Sequence, residues 1–534
     1  MTSPEPDPTL ARTVDQLVRF RAAHDDAKPM VIDPQDRISY RELESSTRDL
    51  AAALIEAGVG KGTRVGLIMP NCTRWVQVAI ALTRIGAVLV PLSTLLQAGE
   101  LVAQLRAASV QFLVSVEEFR GHRYLDDLQS VPQLGLPALR QVWTIDRLNH
   151  ADAGERARRL VDAMTETVTA SDPLVIMFTS GSSGAPKGVV HSHGNALGAV
   201  ESGLAARCIT SDTRLYLPMP FFWVGGFGSG ILSALLAGAT LVTEEIPRPE
   251  TTLRLLESAR VTLFRGWPDQ AEALARHPDA ISVDLSALRP GSLEALLPRA
   301  LRAEPGARAT LFGMTEAFGP YCGYPADTDM PHAAWGSCGK PFPGMQVRIV
   351  DPDNGGPATT GTVGMIQIRG PHTLRGICRR TREELFTSDG FYPTGDLGHL
   401  DADGFLFYRG RSDDMFKVSG ATVYPSEVER ALRAIDGIEY AFVTKVPGPS
   451  GERVGAAVVC GDRSATAEEL RSSARKLLSA FKVPTVWLLL ESDDDVPRGG
   501  TGKVDIRRLR DMLIDAGQPM GPASRVDNSA TRRP

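Results

Sequence analysis

Apolar segments of two lengths alternate along the first third of the chain. Short runs of consecutive apolar residues, typical of buried strands, are followed by longer segments in which apolar residues recur at helical spacing. The predicted strands cover 64–69, 88–91 and 111–116, and the predicted helices cover 73–85 and 100–108. This βα alternation predicts a doubly wound α/β unit with a largely parallel sheet.

A second run of the same kind begins near residue 174. Its strand-like stretches are 174–178, 189–190, 215–217 and 239–242, and its helix-like stretches begin near Asn195, at 225 (to 236) and at 251 (to 259). The α/β pattern is therefore predicted to continue to about residue 259, so that the N-terminal part of the chain contains doubly wound α/β subdomains.

The hydrophobic pattern changes near residue 335. Short strand-like stretches at 346–350, 365–369 and 405–408 lie between turns rich in Gly, Pro and Asp. Short strands separated by such turns predict a small β-barrel or sandwich.

A third pattern follows residue 410. Ser426 with Glu429, and Thr466 with Glu469, have the spacing of capping boxes that start helices. Strand-like stretches lie between them, at 440–444 and 454–459. A small α+β domain is the fold that this mixture predicts.

Length and pattern together predict the domain organisation. At 534 residues the chain is too long for one hydrophobic core. We expect a large N-terminal core over 1–410, made of the α/β subdomains and the β-barrel, and a C-terminal α+β domain over 411–515. A tail over 516–534 is polar and is predicted to be disordered.

Composition narrows the class of function. A net charge of −5 argues against a nucleic-acid-binding protein. The six cysteines are scattered without a C-x-x-C pair, so neither a zinc site nor a disulfide framework is indicated. The N-terminal residues lack the pattern of a secretory signal, and the most apolar region, 76–92, is interrupted by Arg84 and Gly86. We expect a cytoplasmic protein without a membrane span.

The candidate chemistry begins with a loop of small residues after the strand at 174–178. These residues are Thr179, Ser180, Gly181, Ser182, Ser183 and Gly184, and Lys187 follows them. Small residues let backbone N–H groups converge on an anion, and the lysine adds a positive charge. A mobile linker is the alternative interpretation, but linkers are rarely fixed between two buried strands. Gly188 after the lysine departs from the P-loop pattern of NTPases.

Three further motifs follow in order along the chain. Residues 311–316 read L-F-G-M-T-E, 392–397 read Y-P-T-G-D-L, and 410–420 read G-R-S-D-D-M-F-K-V-S-G. A fourth, at 496–503, reads V-P-R-G-G-T-G-K. Taken singly, each has an ordinary explanation: a turn with a helix cap, an aspartate that caps a loop, or a solvated lysine on a glycine loop.

Taken in this order, the five motifs resemble those of the adenylate-forming superfamily, which includes acyl-CoA synthetases, adenylation domains and luciferases. The resemblance implies a large N-terminal domain and a small mobile C-terminal domain. It also implies that the small-residue loop and Lys187 bind the phosphates of ATP. Further nucleotide contacts would come from the turn at Gly291 and Ser292 and from Phe312, Gly313, Met314, Thr315 and Glu316, with Phe312 against the adenine and Glu316 holding Mg²⁺. One carboxylate suffices for Mg²⁺ beside phosphate oxygens.

The same resemblance implies roles for residues of the later motifs. Asp396 and Arg411 would bind the ribose, and a carboxylate suits a diol because both of its oxygens accept hydrogen bonds. Asp413 would be the hinge of the C-terminal domain. Lys503 would stabilise charge in the adenylation step, and Lys417 would serve the second half-reaction. Ser419 and Gly420 would line the channel for the CoA thiol.

One motif departs from the family pattern. Many acid–CoA ligases have a histidine where P-F-F-W-V-G-G, residues 220–226, places Trp223. Trp223 would form a broad apolar wall of the substrate pocket, with Gly225 and Gly226 beside it. The alternative is a tryptophan packed in the core, since tryptophan is usually largely buried.

The function implied is that of an ATP-dependent acid–CoA ligase that uses ATP, Mg²⁺ and CoA. A carboxylic acid would become an acyl adenylate with release of pyrophosphate, and CoA would then displace AMP. One alternative is a free-standing adenylating enzyme that passes its adenylate to a carrier protein or an amine, or activates an unusual small acid. Another is a nucleotide-sensing regulator without turnover. The identity of the acid and the oligomeric state, with a homodimer among the options, stay open.

Overall fold

A computed structural model describes residues 11–129, 135–149, 154–179, 186–352, 354–412, 414–418, 421–448, 451–461, 466–499 and 502–516. These residues form two compact units, which divide between Tyr408 and Arg409. The first eleven strands, all in the first unit, are β1 (Pro29–Ile32), β2 (Arg37–Ser39), β3 (Arg64–Ile68), β4 (Val88–Leu92), β5 (Phe112–Ser115), β6 (Gln141–Thr144), β7 (Pro173–Thr179), β8 (Lys187–Ser192), β9 (Arg214–Tyr216), β10 (Thr240–Val242) and β11 (Leu263–Phe264).

The remaining strands follow in chain order. They are β12 (Phe312–Met314), β13 (Gly319–Gly323), β14 (Lys340–Pro341), β15 (Gln346–Val350), β16 (Gly364–Arg369), β17 (Gly376–Ile377), β18 (Tyr392–Leu400), β19 (Leu406–Arg411), β20 (Phe416–Val418), β21 (Ala421–Val423), β22 (Ile438–Gly448), β23 (Gly451–Cys460) and β24 (Val486–Leu490).

The α-helices are interleaved with these strands. They are α1 (Val14–His24), α2 (Tyr40–Glu56), α3 (Thr73–Arg84), α4 (Ala98–Ala107), α5 (Tyr124–Gln129), α6 (Ile145–Asn149), α7 (Glu155–Thr167), α8 (His193–Ser202), α9 (Ser233–Ala237), α10 (Pro249–Ser258), α11 (Pro268–Arg276), α12 (Arg382–Leu385), α13 (Pro425–Arg433), α14 (Ala467–Leu477) and α15 (Ile506–Ala516). In the described residues no helix is long and apolar enough to span a bilayer.

The first α/β subdomain is built on a seven-stranded sheet. Its order is β17-β8-β7-β4-β3-β5-β6. The five neighbouring strands β7, β4, β3, β5 and β6 run parallel. β8 and β17 are antiparallel additions at one edge. The predicted doubly wound, largely parallel sheet is therefore confirmed.

A second sheet has the order β11-β9-β10-β1-β2. β1, β9, β10 and β11 pair in parallel, and β2 is an antiparallel edge. β1 comes from the N-terminal residues, so Val31 lies beside Leu241. The main core cluster packs around Trp75, whose ring lies 5.3 Å from that of Phe221 and 5.9 Å from that of Phe227.

The segment predicted as a helix over 225–236 has an unexpected form. Gly225–Leu232 is a π-helix, and α9 continues it in the α form. π-helical turns are rare and often occur at functional sites. Gly226 is required here, because a Cβ atom would lie 2.2 Å from the Pro220 carbonyl oxygen.

The last part of the first unit is antiparallel. β15, β16, β18 and β19 form a four-stranded sheet in this order, and β12, β13 and β14 form a three-stranded one. In the described residues the four strands pair as an open row, so closure into a small barrel stays a prediction.

The second unit is an α+β fold, as predicted. β22 and β23 form an antiparallel hairpin, β24 joins β23 in parallel, and β20 pairs with β21. The capping box of Thr466 and Glu469 is confirmed at the start of α14. The proposed tail beyond Ala516 lies outside the described residues.

The capping box predicted at Ser426 and Glu429 is wrong. The N-cap of α13 is Tyr424, two residues earlier, and the helix begins at Pro425, whose fixed φ suits the first helical position. The Ser426 hydroxyl instead donates to the Arg409 backbone oxygen, and the Glu429 carboxylate accepts from the Val443 N–H. Spacing alone could not show that both side chains have partners outside the helix.

Candidate active site

The two strands that flank the small-residue loop form a hairpin. β7 and β8 pair in antiparallel register, and Thr179 lies opposite Lys187 at its open end. The loop residues Ser180, Gly181, Ser182, Ser183 and Gly184 lie outside the described residues, so their phosphate contacts stay a prediction. Both ends of the loop are held in one ladder, which argues against a free linker.

His191, on β8, connects this hairpin to the T-E motif. The ring is fully buried; its Nε2 atom lies 2.7 Å from the Thr315 backbone oxygen and its Nδ1 atom 2.8 Å from the Asn195 amide nitrogen. The Asn195 Oδ1 atom accepts from the Ser192 N–H at 2.6 Å, which fixes the amide orientation. A carbonyl oxygen only accepts, so His191 carries its proton on Nε2. Burial lowers the pKa of His191 to about 4, and the ring is neutral at physiological pH.

The backbone turns sharply around Glu316. Thr315–Ala317 form a 3-10 turn, and Phe318 follows with φ of +54°. Positive φ is uncommon for a residue with a Cβ atom and persists where packing imposes it. The buried Phe318 ring packs edge-on against His191 at 4.9 Å and against Phe227 at 6.3 Å. This packing fixes the turn that carries Glu316.

The Glu316 carboxylate is buried. Its Oε1 atom accepts from the Tyr392 hydroxyl at 3.3 Å, and its backbone oxygen accepts from the Leu374 N–H at 2.7 Å. No Lys, Arg or His of the described residues forms an ion pair with it, and a buried unpaired carboxylate is costly. The residues therefore fit Mg²⁺, which needs one or two carboxylates beside phosphate oxygens and water.

Phe312 lies in an aromatic cluster at the predicted adenine site. Its ring centroid lies 5.5 Å from that of Tyr321 and 4.8 Å from that of Tyr408. After Phe312, the chain passes so close to β13 that a Cβ atom at Gly313 would lie 2.1 Å from the Gly319 oxygen. Only glycine fits there, so the close approach of β13 explains why the motif has a glycine at this position.

The predicted wall of the adenine site is a turn beside β11. The Phe264 N–H donates to the Ser292 hydroxyl at 3.1 Å, and the Leu293 N–H donates to the Phe264 oxygen at 2.9 Å. Gly291 has φ of +95°, which favours glycine. The turn is thus an ordered continuation of the second sheet.

The predicted ribose ligand Asp396 is a buried carboxylate on β18. Its N–H donates to the Thr394 hydroxyl at 3.0 Å. Burial raises the pKa of Tyr321, with the charges of Cys322 and Asp396 adding to the effect. The Tyr321 hydroxyl has no hydrogen-bond partner in the part of the chain that the structure describes.

Trp223 is half-buried, so it is not a fully enclosed core tryptophan. Its ring meets that of Trp267 edge to face, with centroids 5.7 Å apart. Trp223 comes just before the π-helix at Gly225 and Gly226, and Trp267 comes just before α11. Two aromatic rings thus stand together beyond the carboxyl ends of β9 and β11.

The candidate residues of the second unit are described separately. Arg411 ends β19, and Lys417 on β20 pairs with Thr422 of β21. The Lys503 side chain is exposed, and its backbone oxygen accepts from the Gly499 N–H at 2.8 Å. Asp413, Ser419 and Gly420 lie outside the described residues. The roles of all six stay predictions.

Sequence reasoning missed several residues of this site. His191 and Asn195 lie in the stretch that carries the phosphate-loop motif, and Tyr392 opens the Y-P-T-G-D-L motif, but their partners are distant in sequence. Trp267 and Arg265 lie on a short segment without a motif. No predicted strand directly precedes Arg265 either; a polar residue directly after the short, largely apolar stretch 261–264 is the signal that could have found it.

Comparisons with known proteins agree with this geometry. Residues 18–378 match the family described as AMP-binding enzyme. The chain is 32% identical over 526 residues, 94% of this chain and 99% of the relative, to a Mycobacterium tuberculosis protein named 3-[(3aS,4S,7aS)-7a-methyl-1,5-dioxo-octahydro-1H-inden-4-yl]propanoyl:CoA ligase. It is 30% identical to the indoleacetate–CoA ligase of Aromatoleum aromaticum, over 89% of this chain and 94% of that one.

Among solved structures, the anthranilate CoA ligase AuaEII in complex with anthranoyl-AMP has a similar fold. Its TM-score is 0.78 at 22% identity, and the match covers 94% of this chain and 98% of that one. The family match, the relatives and the fold lead to one conclusion. The chain belongs to the AMP-binding enzyme family, the adenylate-forming superfamily that its motifs resemble.

Proposed function

We propose that the protein is an ATP-dependent acid–CoA ligase that activates a ring-bearing carboxylic acid. The observation that carries the proposal is the bond from His191 to Thr315, which joins the strand leaving the predicted phosphate loop to the turn that bears Glu316. The two relatives support the choice of substrate class, because their names contain indenylpropanoyl and indoleacetate groups.

In the first half-reaction the carboxylate oxygen of the acid attacks the α-phosphorus of ATP. Pyrophosphate leaves, and the product is an acyl adenylate. Thr315 and the phosphate loop hold the α-phosphate, and Asp396 holds the ribose. Glu316 would hold Mg²⁺, which neutralises phosphate charge when bound. Lys503 would stabilise the charge that develops during attack.

In the second half-reaction the CoA thiolate sulfur attacks the acyl carbon of the adenylate. A thioester forms, and AMP leaves with the electron pair of the broken C–O bond. Lys417 would serve this step, with Asp413 as the hinge and with Ser419 and Gly420 lining the thiol channel. These roles, like a mobile domain over 411–515, rest on the resemblance of the motifs.

We also propose a cytoplasmic location. All six cysteines lie in the described residues and none forms a disulfide, as a reducing compartment favours. A homodimer is one candidate for the oligomeric state, which light scattering would measure.

The test is turnover with a panel of acids. Purified protein is supplied with MgATP and with aliphatic, aromatic or fused-ring acids, and pyrophosphate and AMP are measured with and without CoA. We expect pyrophosphate release with ring-bearing acids and AMP release accelerated by CoA. Adenylate formation that CoA never accelerates would replace CoA with another acceptor, such as an amine or a carrier protein. ATP binding without pyrophosphate release from any acid would contradict the ligase assignment.

A further inference from the structure

Arg265 lies at the edge of the second sheet where ligands bind in α/β folds. It directly follows β11, and its N–H donates to the Tyr216 oxygen at 3.0 Å, so the parallel ladder continues through it. Ligands of open α/β sheets bind in the crevice outside the carboxyl ends of the strands. Trp223 and Trp267 stand beyond the same strand ends.

The side chain points toward the central layer of the molecule. Successive strand residues alternate between faces. Leu263 belongs to the central core cluster and Phe264 to the cluster on the other face, so Arg265 returns to the central side. Its Nη1 atom donates to the Gly291 oxygen at 2.7 Å, which places the guanidinium beside the turn predicted to contact adenine.

Two guanidinium groups lie near each other here, that of Arg207 buried and that of Arg265 half-buried, and in the described residues Arg207 has far more hydrogen-bond acceptors than Arg265. Arg207 donates to four acceptors: the backbone oxygens of Val200, Gly203 and Ser229 and the hydroxyl of Ser233. Burial, and after it the charge of Arg265, lower the pKa of Arg207 to about 9.

Arg265 has far fewer partners. In the described part of the chain its guanidinium makes one hydrogen bond, to Gly291, and pairs with no carboxylate. Its other nitrogens are not among the buried atoms that lack a partner, so a ligand can reach them. A guanidinium stays charged in proteins and offers five donors. A reachable cation near a second cation, at the same edge of the sheet as two aromatic rings, is a site for an oxygen acceptor.

We propose that Arg265 determines substrate specificity by binding a second oxygen function of the acid, remote from the reacting carboxylate. The second function is a ring carbonyl or a second carboxylate, and the rings of Trp223 and Trp267 hold the apolar skeleton between the two ends. This inference rests on the proposed function, because it assigns a substrate class to the same pocket.

A purely structural role would have a different signature. If Arg265 only supports the Gly291 turn, its loss would lower the melting temperature and weaken ATP binding, with equal effects on all acids. If it binds the remote oxygen, its loss changes the ratio between acids that differ at that oxygen alone.

The experiment therefore uses matched sets of three ring-bearing propanoic acids. In each set a ring ketone, a ring carboxylate or a plain ring methylene occupies the same remote position. Wild type, Arg265→Met, Arg265→Lys and the control Arg254→Met, on the exposed face of α10, are compared. The readouts are kcat/KM for pyrophosphate release and, independent of turnover, Kd of each acid by calorimetry.

We expect the wild type to prefer the ketone or the carboxylate over the methylene analogue by about 10- to 100-fold, the worth of a hydrogen bond to a charged group. Arg265→Met should remove the preference, Arg265→Lys should retain part of it, and Arg254→Met should leave it unchanged. Preference for the ketone or for the carboxylate identifies which oxygen the site takes.

If the ratio of kcat/KM between the oxygen-bearing acids and the methylene analogue is the same in wild type and Arg265→Met, the inference is overturned while the ligase assignment stays intact. Failure of the ligase assignment is separately visible, because then no acid releases pyrophosphate, while the Kd ratios still decide whether Arg265 binds the second oxygen.

Discussion

The Nε2 atom of His191 donates a hydrogen bond to the backbone oxygen of Thr315 across 2.7 Å. The two residues are 124 positions apart, and each belongs to a different motif of the family. Through this bond, one neutral side chain sets the distance between the phosphate-loop hairpin and the turn that carries Glu316. The Phe318 N–H donates to the same oxygen at 3.0 Å, so both of its lone pairs are used.

Removing the His191 donor should impair MgATP use. His191→Leu leaves the Thr315 oxygen with the Phe318 N–H as its remaining donor, and the loss of one hydrogen bond costs about 0.5–1.5 kcal/mol. We expect kcat/KM for MgATP to fall by up to about tenfold and the Mg²⁺ requirement to rise. His191→Gln retains a donor and should recover part of the loss. Pyrophosphate exchange over a range of Mg²⁺ concentrations measures both.

The matched control is His332→Leu, at an exposed position. A His191→Leu protein with a lower melting temperature but unchanged MgATP and Mg²⁺ dependence would show that the contact serves stability alone.

Two buried histidines should make the fold sensitive to acid. Burial lowers the pKa of both His191 and His193 to about 4, from an ordinary value of 6.5. Between these values the unfolded chain binds more protons than the folded chain, so the free energy of unfolding falls as pH falls from 6.5 toward 4. Near pH 5 each histidine should cost about 2 kcal/mol relative to neutral pH.

Urea unfolding of wild type and His191→Gln at several pH values measures this cost. The variant should lose the His191 share of the pH dependence, while carboxylates contribute equally to both proteins. Identical pH slopes in the two proteins would mean that the His191 pKa is not lowered in the fold.

The two lysines of the second unit should fail in different half-reactions. Lys503→Ala should reduce adenylate formation by about 100-fold or more, since it removes charge stabilisation from the transition state. It should still convert supplied acyl adenylate and CoA to thioester. Lys417→Ala should show the opposite bias. Single-turnover assays of each half-reaction test the pair, and equal losses in both steps for both variants would reject the assignment.

Trp223→Ala should widen the acid pocket. The ring is half-buried and meets Trp267 edge to face, so its removal opens space toward the strand ends. We expect a shift toward bulkier acids with KM for ATP changed less than about twofold, as a pocket wall remote from the nucleotide requires. The comparison is kcat/KM over an acid series, with Trp487→Ala of the second unit as control. A loss of stability without a change in acid preference would identify a packing role.

The local hydrophobic pattern predicted many of the strands and helices correctly. The strand predicted over 346–350 has the same bounds in the structure, and the helix predicted over 73–85 is α3, Thr73–Arg84. Such segments can be predicted because the spacing of their apolar residues shows which face is buried, and this spacing differs between strands and helices. The capping box at Ser426 failed because Pro425 starts the helix, and local spacing does not show which side chain finds a partner elsewhere.

The sequence by itself determined the alternation of strands and helices, the order of the motifs and hence the family, because these are properties of neighbouring residues. Tertiary structure decided which distant residues meet: Val31 beside Leu241, His191 beside Thr315, and Arg265 beside Gly291. A hydrophobic period tells that a residue is buried but not what lies against it. Those partners follow from the packing of whole sheets and helices, which no stretch of sequence contains.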